Sequence, residues 1–420
     1  MALVALGPYP PLDWANLGDG PAGLIAELVL ASDVADYIRF RAVCRPWRRC
    51  SLDPRSQGGL DGRYHPRQWI MLDKAFVGFR LRRFLNVSTG ECIRMDLPEL
   101  EEHTFLALTP EGLLFLLDEA TLAVRLLNPL TRQVIDLPPV KQLLRAELQI
   151  RRRQGWRIGE SIRVWSVGVV DDASAVAICF YSPTVLVVSK PGDERWTLVS
   201  GDNRCFQSAL TFAGRMFCAT SRGVSVLDAS SDEQHPPRLL TAVGYNRSLC
   251  FCVMADSLHL VDNCGDLMLV HRMLRRRKDD EEGGYERKYE VYKVDLDARI
   301  LLPVASFSGR AVFMGITRAI SVSPKAFPAV AADTLYLGYD CYDMAASYNL
   351  ANGSIEPWQQ GGDVDVDRYL VSQQGMDVDV EGYLVSDCDE VDGSSECWLQ
   401  PSNIVDCLCY CIRGIGKELV

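Results

Sequence analysis

Of the side chains able to ligate a metal or act as nucleophile or base, the chain carries 15 cysteines and five histidines. No two cysteines stand three positions apart, so the CxxC pairs that build zinc ribbons and RING domains are missing. No two histidines form a close pair. Cys250 and Cys252 alternate with Phe251 and Val253, as core residues of a strand do. These spacings give no metal or cofactor site. The chain also lacks a Gly-x-Ser-x-Gly elbow, a Gly-x-x-x-x-Gly-Lys phosphate loop and a Gly-x-Gly-x-x-Gly turn. Gly414-Ile415-Gly416-Lys417 lacks the rest of a phosphate loop. Asp171-Asp172 suits a hairpin turn between strands. A glycosidase-like carboxylate pair depends on separations that spacing alone does not give, so a hydrolase is kept only as the last alternative. The expectation is a protein without catalysis of its own.

Composition narrows the partners. A net charge of −11 argues against a general nucleic-acid-binding surface, and 48% hydrophobic with 24% charged residues is ordinary for a globular chain. No apolar run reaches transmembrane length, and the first 11 residues carry no basic side chain and are too short for a signal peptide. The expectation is a soluble protein of the cytoplasm or nucleus, with its thiols reduced.

The elements fall into two groups. In the first, Asp19 and Pro21 suit an N-cap and a first-turn proline, and Leu24, Ile25, Leu28 and Val29 form one apolar stripe of a short helix. Ser32 or Asp33 caps a second helix with Val34, Tyr37, Ile38 and Arg41 on one face. Pro46 ends that helix and opens a third, with Trp47 in its first turn. Three helices in about 40 residues bury too little to be strongly stable alone, so their apolar side chains need a partner or the domain that follows. In the second group, residues 105–108, 113–117, 124–127, 175–180, 185–188, 216–219, 224–227, 258–261, 267–270, 289–294 and 335–337 read as strands between turn residues. Residues 140–150 are the one good helical pattern among them.

A repeat points to the architecture. Asn86-Val87-Ser88-Thr89, ending in Leu97-Pro98, is echoed by Asn128-Pro129-Leu130-Thr131, ending in Leu137-Pro138. The two asparagines lie 42 positions apart, close to one four-stranded propeller blade. The Asn-x-x-Thr turn would join two strands of a blade, and Asn349 to Trp358 offers a third, degenerate copy. A small all-α module followed by a large mainly-β domain, an irregular β-propeller, is therefore expected; a β-sandwich is the alternative. The expected divisions are a tail at 1–12, a three-helix module at 13–52, a linker at 53–70, the β domain at 71–360 and an acidic, cysteine-rich tail at 361–420.

The run Arg39-Phe40-Arg41-Ala42-Val43-Cys44-Arg45-Pro46-Trp47-Arg48 resembles the end of an F-box, the module that docks substrate receptors onto cullin–RING ubiquitin ligases. At its start the chain departs from the F-box pattern. Leu17 is kept, but Gly18 stands where a proline is usual, and Gly20-Pro21-Ala22-Gly23 replaces the acid and the leucine pair. Together with Leu126 to Thr131, Leu137-Pro138-Pro139, residues 307–315, Ser321-Val322-Ser323, Phe327-Pro328 and Leu335-Tyr336, the order of motifs resembles the plant, grass-type F-box proteins with a kelch-like C-terminal domain of unknown function. That resemblance implies a substrate receptor. Leu17, Leu24, Ile25, Leu28, Val43, Cys44 and Trp47 would form the adaptor-binding surface, and loops of the β domain would hold an unknown protein substrate. No cofactor, nucleic acid or membrane is implied. A scaffold whose degraded first helix no longer binds the adaptor is the alternative.

Three charged stretches remain. Arg275 to Lys278 followed by Asp279 to Glu282 reads as a self-neutralising hairpin loop or a nuclear-localisation signal, and Arg151-Arg152-Arg153 invites the same pair of readings. Arg39, Arg41, Arg45, Arg48 and Arg49 make the helical module basic, to suit either an acidic partner or solvent. In the tail, Asp363 to Ser372 recurs as Asp377 to Ser386, alternating acid and valine as an exposed strand would; the glycine and glutamate of an EF-hand loop are missing. Cys407, Cys409 and Cys411 alternate with apolar residues near Ile404 and Val405.

Overall fold

The computed structural model describes residues 14, 17–72, 80–144, 146–155, 158, 159, 162, 164–170, 174–180, 184–200, 206–230, 236–245, 256–276, 285–315, 318–337 and 346–357. Cys250, Cys252, Asp171, Asp172, the tip of the charged hairpin at 277–284 and the whole tail from 358 lie outside the described residues.

Three helices open the chain: α1 (Asp19–Ser32), α2 (Val34–Val43) and α3 (Arg45–Arg49). The N-cap of α1 is Gly18 and not Asp19, which sits in the first turn with Pro21. Gly18 has φ +79°, a left-handed value that glycine adopts without a Cβ clash, and its carbonyl receives the Ala22 N–H. Asp33 caps α2 through the Ala35 N–H at 2.6 Å, as the sequence suggests. Pro46 lies in the first turn of α3. Two short 3-10 turns, Pro54–Ser56 and Gly62–Tyr64, carry the chain onward, each capped by an aspartate.

Six sheets follow in chain order and make a six-bladed β-propeller, not a sandwich. Blade 1 holds β1 (Trp69–Met71), β2 (Leu81–Asn86) and β3 (Cys92–Asp96). After helix α4 (Glu99–Glu102), blade 2 holds β4 (Thr104–Leu108), β5 (Leu114–Leu117), β6 (Val124–Leu127) and β7 (Val134–Leu137). After helix α5 (Ala146–Arg153), blade 3 holds β8 (Val164–Val170), β9 (Ala175–Phe180), β10 (Val185–Ser189) and β11 (Thr197–Leu198). Blade 4 holds β12 (Ser208–Phe212), β13 (Arg215–Ala219), β14 (Gly223–Asp228) and β15 (Arg238–Gly244). Blade 5 holds β16 (Ser257–Asp262), β17 (Leu267–Arg276), β18 (Tyr285–Asp295) and β19 (Ile300–Val304). Blade 6 holds β20 (Ala311–Met314), β21 (Ala319–Val322), β22 (Thr334–Leu337), β23 (Ala346–Asn349) and β24 (Ile355–Pro357). Blades 2 to 5 are antiparallel meanders; in blade 6 the order is β21-β20-β22-β23-β24, with β20 and β22 parallel. The strands β4, β8, β12, β16 and β21 touch their neighbours in turn and line the axis.

The expected 140–150 helix is broken. Val140–Leu143 is a 3-10 turn and α5 begins at Ala146. Val140 and Leu144 are buried in the core between blades 2 and 3, and the Val140 N–H is bonded to the Leu122 carbonyl, so packing overrides the local helical period.

The asparagine repeat is a turn. The Asn86 side-chain oxygen accepts the N–H groups of Ser88 and Thr89, Asn128 those of Leu130 and Thr131, and Asn349 those of Ala351 and Asn352. Each turn closes on a left-handed residue, at Gly90, Arg132 and Gly353. Asp295 builds the same turn between β18 and β19.

Candidate functional site

Residues of α1 sort themselves by helical phase. Ala22, Ala26 and Leu30 are buried, and Ile25 and Val29 lean onto the same cluster, with Val34, Tyr37, Phe40 and Tyr64. Leu24 and Leu28, one turn apart, point the other way and are 70% and 72% exposed. The single apolar stripe expected of α1 is thus two: an inner one of Ala22, Ile25, Ala26, Val29 and Leu30, and an outer ridge of two leucines. Val43 at the end of α2 is 63% exposed. Leu17, Ile25, Cys44 and Trp47 are half-buried. The Trp47 ring stacks on Phe40 with centroids 4.5 Å apart and planes 17° from parallel, and its Nε1 donates to the Trp14 carbonyl at 3.0 Å. Of the seven residues singled out from sequence, three present large side chains to solvent, and Trp47 and Ile25 hold the module together. At Gly23 a Cβ would make only an ordinary contact, 3.4 Å from the Cys50 carbonyl, where α3 ends against α1.

The basic face is smaller than its arginine count suggests. Arg39 bridges Asp36 and Glu91, which hold its guanidinium protonated beyond its usual range, Glu91 most strongly. Arg41 donates to the carbonyls of Ser51 and Leu52 and pairs with Asp53. Both are committed within the chain. Arg45 and Arg49 remain exposed on α3.

One carboxylate ties the module to the propeller. Asp33, while capping α2, accepts the indole N–H of buried Trp69 at 3.0 Å and the Asn86 amide at 2.6 Å. The 53–68 segment is held as closely. Arg55 donates to the Thr131 carbonyl, Gln133 to the Gln57 carbonyl and Asn128 to the Tyr64 carbonyl. All these contacts fall at one end of the propeller, where β1 begins and where the turns at Asn86 and Asn128 lie. Successive strands alternate direction, so the loops joining second to third strands lie at the opposite end. There lie the far ends of β17 and β18. Among the described residues β16 pairs as far as Arg272 and β19 as far as Val291, while β17 and β18 continue in register to Arg276 and Tyr285. β17 and β18 thus extend about 13 Å, four residues of strand, past their last described pair with β16, at the end of the propeller opposite α1–α3.

Two histidine pairs have the residue types of catalytic machinery, but sheet parity separates them. His271 and Asp256 are buried and 3.0 Å apart, and Ser257 Oγ lies 3.0 Å from His259 Nε2. His271 pairs with Leu258 across the sheet, so it and Asp256 share one face of blade 5 while Ser257 and His259 share the other. A nucleophile–base–carboxylate relay is not assembled from them. Among the described residues no three His, Cys, Asp or Glu side chains gather as a metal site. No helix among them is long and apolar enough to cross a membrane.

Solved structures matched to this chain include the β-propeller domain of Cps50 (Swd1) from Myceliophteria thermophila, 10% identical with a TM-score of 0.31, covering 70% of this chain and 86% of that one. The dihydro-heme d1 dehydrogenase NirN, in complex with DHE, is 11% identical with a TM-score of 0.28; the match covers 66% of this chain and spans 50% of that one. AztD from Citrobacter koseri is 8% identical with a TM-score of 0.24, covering 69% and 93%. No curated protein matches. The family model described as KIB1-4 beta-propeller matches residues 84–363, nearly the whole of blades 1 to 6, and the chain belongs to that family.

Proposed function

We propose that the protein is a substrate-recognition subunit of a cullin–RING ubiquitin ligase, its helical module docking on the F-box adaptor and its propeller holding the protein to be ubiquitinated. The observation that carries this reading is the Leu24–Leu28 ridge. Two large aliphatic side chains stand in water on a helix that packs inward through Ala22, Ala26 and Leu30, an arrangement that favours a protein partner. Val43 adds to it, and the resemblance of Arg39 to Arg48 to an F-box names the partner. The far end of the propeller, to which β17 and β18 extend, is where the substrate would sit. No reacting group is needed in this chain: the receptor raises the effective concentration of a target lysine beside the ubiquitin-loaded enzyme. The same reading places the protein in the cytoplasm or nucleus. A scaffold without adaptor binding is the second reading, favoured by Gly18, whose left-handed backbone cannot take the proline usual there.

A pull-down of the adaptor by the full chain, beside a Leu24→Asp, Leu28→Asp variant, separates the two. Capture lost in the variant supports the receptor. Absence of capture by the folded, unsubstituted chain supports the scaffold.

A further inference from the structure

We infer that the cleft between helix α5 and the β5–β6 turn binds acidic side chains, Asp and Glu, of the protein that the receptor recognises. Leu122, Lys141, Gln149, Arg152 and Arg153 line this cleft, whose volume is about 320 Å³. Two hydrogen bonds fix its place. The Arg152 guanidinium donates to the Ala120 carbonyl, and the Val140 N–H donates to the Leu122 carbonyl. Ala120 and Leu122 belong to the loop joining the second and third strands of blade 2, so the cleft lies at the end of the propeller opposite α1–α3. Arg152 and Arg153, which as part of a run of arginines suit a solvated loop or a localisation signal, are instead built into the wall of this cleft. The inference rests on the receptor reading, which assigns the substrate to this end.

Charge selects the ligand. Three of the five lining side chains are cations and none is an acid, in a chain of net charge −11. The carboxylates of the adjoining turn are bonded elsewhere. Asp118 accepts the Ala120 and Thr121 N–H groups, and Glu119 accepts those of Ile158 and Gly159 with the Thr104 hydroxyl. Arg39, Arg80, Arg125 and Arg132 each pair with a carboxylate. Among the described residues Lys141 and Arg153 pair with none, and Arg152 is anchored by a neutral carbonyl that leaves its charge uncompensated. The helix dipole accounts for Arg152 and Arg153 in the last turn of α5, but not for Lys141, which comes from the 3-10 turn before that helix. Arg152 and Gln149 are held in place by the Ala120 and Leu144 carbonyls, so part of the wall is preorganised. Cations gathered with no acid among them suit carboxylate oxygens. A nucleic acid offers negative charge along an extended backbone, which the −11 on the rest of the chain repels. A short acidic segment places its few charges in the cleft.

A random dodecapeptide library displayed on phage, selected on the immobilised full chain and counter-selected on a Lys141→Glu, Arg153→Glu variant, tests this. Both positions are exposed, so the variant keeps the fold, as circular dichroism verifies. Peptides that depend on the cleft are expected to be rich in Asp and Glu. Their synthetic consensus should bind the variant at least tenfold more weakly than the parent, and the parent more weakly as salt rises. Peptides without acidic enrichment, or a consensus bound equally by both proteins, would overturn the inference. So would displacement of the peptide by an equal concentration of inorganic phosphate, which marks a site for any small anion. Tighter binding of a single-stranded oligonucleotide of equal charge would also overturn it. Adaptor capture, measured on the same two proteins, keeps the two readings apart. Capture by both without any acidic peptide bound sinks this inference and leaves the receptor standing; peptide bound without capture overturns the receptor reading instead.

Discussion

Glu111 lies wholly buried in the turn between β4 and β5, and burial pushes its carboxyl up to about 7 against the bonds offered by its own N–H, Thr109 and the Val169 N–H. Unfolding returns it to the ordinary carboxylate range. Between those two values the folded chain holds the extra proton, so this residue makes stability fall as pH rises from about 4.5 to about 7, by roughly 3 kcal/mol in total. Glu111→Gln is expected to melt higher than the parent at pH 8 and together with it at pH 4, measured by thermal unfolding across that range. Gly20 makes the opposite kind of case. It has ordinary helical backbone and open space where a Cβ would go, so Gly20→Ala should stabilise α1 by about 0.5 kcal/mol, read as a shift in denaturant midpoint. Gly18 permits no such gain, because its φ of +79° disfavours any side chain.

At the level of elements, Asp33 is the joint between the α1–α2 corner and β1–β2. Its role as a helix cap was legible in sequence; its hold on Trp69 and Asn86, 36 and 53 positions away, was not, because spacing carries no record of tertiary partners. Asp33→Ala removes the cap and leaves the buried indole N–H without its acceptor. A loss of about 3 kcal/mol is expected, with protease cleavage appearing in 50–68 before the propeller melts. Strands were legible where they are rich in Val, Leu and Ile: each of the eleven runs read from the sequence falls within a strand, except that Leu113 lies one residue before β5. Of the axial strands, β4 and β16 were read from the sequence and β8 and β12 were not: in β8 a serine and a glycine interrupt the valines, and the glycine answers to close approach near the axis. At Gly168 a Cβ would come within 1.6 Å of Thr211 Oγ1. The Asn86, Asn128 and Asn349 turns were legible because one side chain type builds them all; two more, at Asp118 and Asp295, were hidden by their substitution of aspartate for asparagine.

For the whole molecule, the bonds from Asp33, Arg55, Gln57 and Tyr64 fix the helical module against blades 1 and 2, so the leucine ridge and the far end of the propeller keep a set geometry. A receptor that positions a target needs such a frame, since each degree of slack lowers the effective concentration at the reacting lysine. Of the residues first read as adaptor-binding, exposure separates Leu24, Leu28 and Val43, free to meet a partner, from Trp47, whose removal would break the stack on Phe40 and cost about 2 kcal/mol of folding stability. The most direct measurement is calorimetric titration of the F-box adaptor into the full chain and into the Leu24→Asp, Leu28→Asp variant, with both shown by circular dichroism to be folded. The receptor account predicts saturable binding, weakened at least tenfold in the variant while its melting midpoint stays within about 0.5 kcal/mol of the parent. Binding of equal strength in both proteins, or none in the parent, would contradict it.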